Sequence, residues 1–166
     1  MITSIVILAL VTAQRLGELV LARKNTARLM AQGGVETGAA HYPLIVALHA
    51  AWLVGLFLLA WDRPVNWYWM GLFVLLQLGR GWVIASLGAR WTTRIITVPG
   101  ETLVRRGPYR FVPHPNYIVV AAELAVLPLA FGLVAFAAVF SVLNAIILVI
   151  RVRAEAGALR GEPMVL

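Results

Sequence analysis

The sequence contains no cysteine and little charge of either sign. Its 166 residues include 14 basic and 7 acidic side chains, and charged residues make up only 13% of the chain. The absence of cysteine excludes disulfides, thiolate metal sites and cysteine nucleophiles. The three histidines, His41, His49 and His114, are scattered and lack metal-ligand spacing, so that no metal is expected.

Apolar residues dominate what is present. They account for 61% of the chain, and the mean hydropathy is +0.88, well above that of an ordinary soluble domain. The sequence therefore predicts an all-α, polytopic integral membrane protein, a single domain over 1–166 with about five transmembrane helices. The apolar segments lie near 2–22, 43–61, 66–88, 117–131 and 133–150.

The last two apolar segments are separated by little more than Pro128 and Gly132. Together they are too long for one span, so we interpret them as a tight hairpin rather than one kinked helix. The first segment has neither a basic leading region nor a clear cleavage site, and we expect a retained helix rather than a signal peptide.

Basic residues are distributed asymmetrically along this pattern. With the amino terminus outside, eleven of the 14 fall on the inner side of the membrane. The positive-inside rule explains this bias without nucleic acid, for which no aromatic and basic module is present. The eleven are Arg23, Lys24 and Arg28 in a first inner loop, Arg90, Arg94, Arg105, Arg106 and Arg110 in a second, and Arg151, Arg153 and Arg160 in the tail.

Eight polar side chains lie inside the predicted spans, where each is costly unless it is paired or faces a polar cavity. Arg15 and Glu18, three residues apart, are expected to pair on one helix face. Arg80 and Glu123 are candidate counter-ions for each other, and with Asn144 they are also candidate substrate-binding residues. The full set is Gln14, Arg15, Glu18, His49, Gln77, Arg80, Glu123 and Asn144.

A polar stripe continues along the fifth helix beyond its apolar part. Asn144, Leu148, Arg151 and Glu155 are spaced by 4, 3 and 4 residues, which puts them on one helical face. Two interpretations remain open, namely an interfacial Arg–Glu pair with Arg153 beside it and a functional site at the inner membrane surface.

The stretch 105–117, RRGPYRFVPHPNY, interrupts the apolar pattern with three prolines that stiffen the loop. It carries Tyr109, His114 and Tyr117 and leads into a helix near Asn116 or Tyr117. A helix start with free N–H groups favours a small ligand that bears a carboxylate. An aromatic and arginine belt at the lipid headgroups is the alternative.

The run LVRRGPYRFVPHPNY, followed by an apolar hairpin and then RVRAE at 151–155, resembles the isoprenylcysteine carboxyl methyltransferase family of membrane enzymes. The stretches ARKNTARLMAQGG and HYPLIVALH resemble a bacterial branch that includes O-methyltransferases of alkylpyrone-type polyketides. The resemblance implies S-adenosylmethionine as cofactor, a site at the cytoplasmic face of a bacterial inner membrane, and no Rossmann domain. The chain indeed has no strand-linked G-x-G-x-x-G.

The resemblance also implies roles for individual residues. Arg151 and Glu155 match the catalytic segment, and residues 101–166 carry the cofactor loop, the hairpin and that segment, while 1–100 shape a lipid-substrate cleft. Two positions depart from the family pattern, because Pro113 replaces an arginine and Ala156 replaces a second glutamate. The implied cofactor-binding residues are Leu103, Val104, Gly107, Tyr109, His114, Pro115, Tyr117 and Glu155.

The implied activity is methylation of an oxygen on a lipophilic small molecule, an alkylpyrone or related polyketide hydroxyl, in contact with membrane lipids. A prenylcysteine carboxylate and a phospholipid amine are alternative acceptors. A transporter and a non-catalytic scaffold are alternatives of another class. The sequence does not indicate an oligomeric state.

The asymmetry of the basic residues predicts that the amino terminus lies outside and the carboxyl terminus inside. A topology reporter fused after Leu166 should therefore be active only on the cytoplasmic side. A reporter fused before Met1 is the matched control and should give the opposite result. An extracytoplasmic signal from the Leu166 fusion would contradict the predicted five-span topology.

Overall fold

The structure is a computed structural model that describes the backbone of residues 1–160 and the side chains of residues 1–157. The carboxyl terminus at Leu166, the last part of the predicted 101–166 segment and the basic side chain of Arg160 lie outside the described residues. The described elements, in chain order, are α1 (Ile2–Ala31), β1 (Val35–Thr37), α2 (Tyr42–Ala60), α3 (Trp67–Leu87), β2 (Ile95–Thr97), α4 (Pro115–Ala130) and α5 (Val134–Arg160).

The helices confirm the predicted all-α, polytopic membrane architecture. Within the described residues, four segments are long and apolar enough to cross a membrane: Ile2–Ala31, Ala39–Ala60, Trp67–Arg90 and Val134–Gly157. The shorter α4 is apolar but has only 16 residues, about 24 Å at 1.5 Å per residue. It is therefore shorter than the apolar layer of about 30 Å.

The first helix is longer than predicted. It was expected to end near residue 22, but α1 continues to Ala31, so that Arg23, Lys24 and Arg28 lie on the helix and not in a loop. Its end is set by Gly33, whose positive φ of 84° allows the backbone to turn back. The N–H of Gly34 then donates to the carbonyl of Leu29 at 3.0 Å.

The predicted hairpin between the last two helices is confirmed. Gly132 has φ +71° and donates to the carbonyl of Leu129, while Leu133 donates to that of Pro128, both at 3.0 Å. These two bonds form a Schellman motif that ends α4 and reverses the chain within a few residues. The second helix, expected over 133–150, continues to Arg160 and so carries the whole polar stripe.

A two-stranded antiparallel sheet, absent from the sequence-based interpretation, joins the loops that follow α1 and α3. Val35 pairs with Thr97 and Thr37 with Ile95. Beside it, Arg94 donates through Nη1 to both carboxylate oxygens of Glu36 at 2.8 Å. The sheet ties two loops at the same end of the helix bundle and contacts α5.

Apolar side chains of α1, α2, α3, α4 and the α4–α5 turn form the main core. Trp52 of α2 is 1% exposed, and its indole N–H donates to the carbonyl of Leu124 in α4 at 3.2 Å. This bond lets a large aromatic ring be buried without an unsatisfied donor. Other fully buried members are Leu8, Leu56, Leu127 and Ala130.

Four charged side chains meet in the apolar interior. Arg80 of α3 donates through Nε to Glu18 of α1 at 2.6 Å and through Nη1 to Glu123 of α4 at 3.0 Å. Arg15 donates to Glu18 at 3.1 Å and to Glu123 at 2.8 Å. Both predicted pairs, Arg15 with Glu18 and Arg80 with Glu123, are therefore confirmed, and the structure joins them into one network of zero formal charge.

Two amides complete this buried charge network. Gln77 donates to the second oxygen of Glu123 at 2.8 Å, and Gln14 donates to Gln77 at 2.7 Å and to Glu18 at 3.0 Å. Every carboxylate oxygen of the network therefore accepts at least one hydrogen bond. A charge that lacks its partners in the membrane interior is costly, so these bonds are strongly favoured over alternatives. The network thereby fixes α1, α3 and α4 relative to one another.

We expect Glu123→Ala to lower the free energy of unfolding by about 3–5 kcal/mol, because it leaves two buried guanidinium groups short of a counter-ion. Thermal unfolding of the purified protein in detergent would measure the change. The matched control is Glu101→Ala, which breaks the exposed pair with Arg90 and should cost at most about 1 kcal/mol. Equal shifts for the two variants would contradict the role given to the network.

Candidate active site

The proline-rich loop is anchored to the C-terminal end of α3. A short 3₁₀ turn covers Gly107–Arg110, and Gly107 has φ +58°. A Cβ at Gly107 would collide with the side chain of Ser86 in α3, so only glycine permits this close approach. Arg106 donates through Nε to the carbonyl of Ser86 at 2.8 Å. These contacts hold the loop in place.

Three residues implied by the family resemblance meet where this loop enters α4. The hydroxyl of Tyr117 donates to Oε2 of Glu155 at 2.9 Å, and Nδ1 of His114 lies 3.4 Å from the same oxygen. The rings of His114 and Tyr117 stack with their centroids 5.3 Å apart. Pro115 is the first residue of α4, where its missing N–H has no cost. The first turn of α4 is thus joined to the polar stripe of α5.

Tyr109 belongs to the same loop but packs elsewhere. Its ring packs against a small buried cluster of Ala22, Val83 and Trp91. Burial and, second, the charge of Glu155 raise the pKa of Tyr109 to about 12, because both disfavour the phenolate.

Leu103 and Val104 line a separate feature, a groove of about 460 Å³ that includes neither His114 nor Tyr117. Leu103 is 64% exposed. The groove is basic, because three arginines contribute to its wall, and Arg90 is held there by a bond from Nη1 to the carbonyl of Thr102 at 2.7 Å. The lining residues are Leu87, Arg90, Thr102, Leu103, Val104, Arg105 and Arg106.

Arg151 is buried, with 5% of the residue exposed, and does not form the ion pair that was one of the two interpretations of the stripe. Its Nη2 donates to the backbone carbonyl of Thr93 at 3.0 Å, and its guanidinium carbon lies 5.8 Å from the ring centroid of Tyr117. The carboxylate of Glu155 instead accepts a hydrogen bond from the hydroxyl of Tyr117. The Nε of Arg151 is buried and has no hydrogen-bond partner among the described residues.

Sequence reasoning missed the residues that hold Arg151. Thr93 is fixed through its hydroxyl, which lies 3.0 Å from the hydroxyl of Tyr42 at the start of α2. The guanidinium of Arg94 lies 4.4 Å from the ring centroid of Tyr42, and Glu36 binds the same guanidinium. That hydrogen bond from Arg94 to Glu36 raises the pKa of Arg94. The only sequence signal was the HYP stretch in the family resemblance.

The three candidate substrate residues fall into two places. Arg80 and Glu123 belong to the buried charge network, where they bind each other and α1. Asn144 of α5 is 1% exposed, and its Oδ1 has no hydrogen-bond partner among the described residues. It lies on the same helix face as Arg151, two turns deeper in the membrane. Among residues 1–157, no three His, Asp or Glu side chains are arranged to hold a metal ion.

Comparison with known proteins supports the resemblance seen in the sequence. The model of the isoprenylcysteine carboxyl methyltransferase (ICMT) family matches residues 69–161. The chain is also 38% identical over 160 residues to the uncharacterized protein YpbQ of Bacillus subtilis (strain 168), a match that covers 93% of this chain and 95% of that protein. No solved structure matches the chain. The family match includes α3, the proline-rich loop and the hairpin.

The environment of Tyr109 predicts a loss of stability at high pH. An unfolded tyrosine ionises near pH 10, whereas the folded Tyr109 stays neutral up to about pH 12. The contribution of Tyr109 to the free energy of unfolding is therefore complete below about pH 10 and is lost as the pH rises towards 12. Phenolate absorbance of the wild type minus that of Tyr109→Phe should show a midpoint near 12. A midpoint near 10 would mean that Tyr109 is solvated and that its described environment is wrong.

Proposed function

The chain belongs to the isoprenylcysteine carboxyl methyltransferase family of integral membrane methyltransferases, and from this we propose that it transfers a methyl group from S-adenosylmethionine to an oxygen of a lipophilic acceptor. The observation that carries the proposal is the group formed by His114, Tyr117 and Glu155 beside the buried cation of Arg151. We further propose that this site faces the cytoplasm, as the distribution of basic residues favours.

The side chains present fit this cofactor chemically. S-adenosylmethionine carries a carboxylate, an ammonium and a sulfonium, so a site for it needs both anionic and cationic groups. Glu155 supplies a carboxylate that is 30% exposed and whose Oε1 has no hydrogen-bond partner among the described residues. At the start of α4, Pro115 has no N–H and those of Tyr117 and Ile118 donate to the carbonyl of His114, so it is the helix dipole that favours a carboxylate there. The buried Oδ1 of Asn116, likewise without a partner in residues 1–157, is a further acceptor.

When bound, S-adenosylmethionine would supply an electrophilic methyl group to the acceptor oxygen. Arg151 orients the acceptor oxygen, and the carbonyl of Thr93 holds its guanidinium in place. Glu155 binds the cationic part of the cofactor while Tyr117 fixes the carboxylate. Such positioning in a site shielded from water can supply a large part of the rate enhancement.

The proposed acceptor is an ionisable hydroxyl of an alkylpyrone or related polyketide. The resemblance of the front half of the chain to alkylpyrone O-methyltransferases favours this class. An apolar groove of about 420 Å³ between α1 and α2 supports a lipophilic acceptor with a long chain. Its lining residues are Thr12, Ala50, Leu53, Val54, Phe57 and Leu58. Neither a prenylcysteine carboxylate nor a phospholipid amine is favoured by a particular contact.

The transporter alternative loses its main support. It rested on Arg80 and Glu123 as mid-membrane charges that would line a path for a solute. Both are occupied by bonds to each other and to α1, and Glu123 is fully buried. A non-catalytic scaffold would not need a carboxylate, a histidine and a buried arginine at one helix start.

The proposed function is tested by incubating the purified protein with radiolabelled S-adenosylmethionine and a long-chain 6-alkyl-4-hydroxy-2-pyrone in detergent. Transfer of label to the pyrone is expected. Lipid mass spectrometry of cells with and without the gene would identify the natural acceptor as a species one methylene heavier. Absence of both cofactor binding and label transfer would reject the proposal.

We expect Arg151→Lys to lower turnover by at least about tenfold, or about 1.4 kcal/mol in the barrier, because lysine keeps the charge but loses the planar, multi-donor geometry. Cofactor affinity should change much less. Methylation rate and calorimetric affinity, measured on the same purified variant, give both values.

His114→Ala is the matched variant, and its main effect should be on cofactor affinity rather than on turnover. It should weaken S-adenosylmethionine binding by about 1–3 kcal/mol through loss of a partly buried hydrogen-bonding group. Full activity with lysine at position 151 would remove Arg151 from the reaction, and unchanged affinity in His114→Ala would remove His114 from the cofactor site.

A further inference from the structure

Two buried nitrogen atoms near the inner end of α2 and α5 have no hydrogen-bond partner among the described residues. They are Nε2 of His41 and Nε of Arg151. Leaving a buried polar atom unpaired is costly, and such atoms are rare in folded proteins. Two such atoms on segments that are linked through Tyr42 and Thr93, beside a candidate active site, indicate a polar group that binds there.

Contacts on three elements place these two atoms in the same region. His41 directly precedes Tyr42, whose hydroxyl contacts Thr93, and the carbonyl of Thr93 accepts from Arg151. The guanidinium of Arg151 is near enough to act electrostatically on the ring of His41. The imidazole also packs over Gly38, which has φ +72°, and a Cβ at Gly38 would overlap the ring. The position of the imidazole is therefore defined by its surroundings.

The chemistry of the two atoms selects one kind of ligand. The Nε–H of arginine only donates, whereas Nε2 of a neutral histidine accepts when Nδ1 carries the proton. A hydroxyl oxygen can accept from Arg151 and donate to His41 at the same time. With the proton on Nε2 instead, a carboxylate could accept from both atoms, but that tautomer could not take a proton from the ligand.

The membrane adds a reason for a proton acceptor. A lipophilic acid that enters from the bilayer does so in its neutral form, because a charge in hydrocarbon is costly. Its hydroxyl therefore reaches the site with the proton still attached. The proton has to be removed before the oxygen becomes a good nucleophile.

We propose that His41 is a further catalytic residue, whose Nε2 takes the proton of the acceptor hydroxyl while the Nε–H of Arg151 donates to the same oxygen. The O–H bond breaks towards Nε2, the electron pair of the oxygen forms the new bond to the methyl carbon, and the carbon–sulfur bond breaks. The imidazolium then releases its proton to water when the product leaves. This inference rests on the proposed function, and it adds that the acceptor hydroxyl reaches the site protonated and that His41 is the base that deprotonates it.

The test uses purified wild type, His41→Ala and His41→Gln with S-adenosylmethionine and a long-chain 6-alkyl-4-hydroxy-2-pyrone. Removal of a general base typically costs about 10²–10⁴-fold in rate, so we expect at least about a 100-fold loss with unchanged cofactor affinity. In the wild type, kcat/KM should fall as the pH drops and His41 becomes protonated. This fall at low pH, the acidic limb of the profile, should be absent in His41→Gln, because glutamine forms hydrogen bonds but does not take up a proton.

The pH profile has to be interpreted against the other groups around His41. The charged and titratable side chains that surround the ring and the adjoining Tyr42 are Arg151 of α5, Tyr42 of α2, and Arg94 and Glu36 beside the small sheet. Tyr42→Phe keeps the ring under Arg94 and should retain the acidic limb, because only the hydroxyl is lost. An acidic limb that persists in His41→Gln would overturn the proposal.

His49→Ala is the matched control, since it removes the histidine of α2, two turns beyond His41. The Nδ1 of His49 lies 2.8 Å from the carbonyl of Ile45 in its own helix, and His49 has no role in the proposed site. The methylation rate of His49→Ala should stay within about twofold of the wild-type rate, because the loss of a general base would lower the rate far more.

The outcomes separate the two proposals. If the wild type neither binds S-adenosylmethionine nor methylates the pyrone, the proposed function fails and this inference fails with it. If the wild type methylates and His41→Ala remains within about twofold of it, only the role of His41 is wrong. If His41→Ala and His41→Gln both lose cofactor binding and thermal stability, His41 is a structural residue and the proposal is overturned.

Discussion

The interaction on which the rest of the structure depends is the ion pairing of Arg80 with Glu18 and Glu123 inside the membrane. Hydrocarbon offers no water to an unpaired charge, so a guanidinium at this depth is compatible with folding only if carboxylates from other helices reach it. Those carboxylates come from α1 and α4, and Arg15 joins the same two groups. The requirement to cancel charge thereby determines how three helices are rotated about their axes, which apolar packing alone leaves less strictly defined.

The position of the candidate site follows from this arrangement. Glu123 and Tyr117 lie on the same helix, less than two turns apart, so the network that orients α4 also directs its first turn towards α5. Tyr117 then meets Glu155, and the stacked ring of His114 closes the group. The other side of the site has a different origin, because the small sheet and Tyr42 hold Thr93, whose carbonyl holds Arg151. α5 is thus contacted from both sides, at Glu155 by the first turn of α4 and at Arg151 by the loop that carries Thr93.

The features predicted from the sequence were those that depend on short spacing or on the cost of charge in a membrane. The Arg15–Glu18 pair follows from a three-residue spacing, and the hairpin follows from Pro128 and Gly132. The joining of two ion pairs into one network was not predictable, because it depends on the rotation of three helices. Three-residue strands are too short to show a period, and a backbone carbonyl such as that of Thr93 has no sequence signature at all. The end of α1 is marked in the sequence by Gly33 and Gly34, which are typical of a helix C-terminus. The predicted end lay too early because it followed the end of the apolar run.

The polar stripe of α5 becomes more exposed towards the end of the helix, which suits the proposed reaction between a lipid and a water-soluble cofactor. Asn144 is 1% exposed, Arg151 is 5% exposed and the side chain of Glu155 is 30% exposed, along one helix face. In the proposed reaction, Glu155 would bind the water-soluble cofactor and Arg151 the lipophilic acceptor. These two side chains lie about one helical turn apart, and electrostatic interactions of the buried Arg151 are strong because water is scarce around it. A charged group placed deeper would pay a larger desolvation cost, and one placed further out would be screened by solvent.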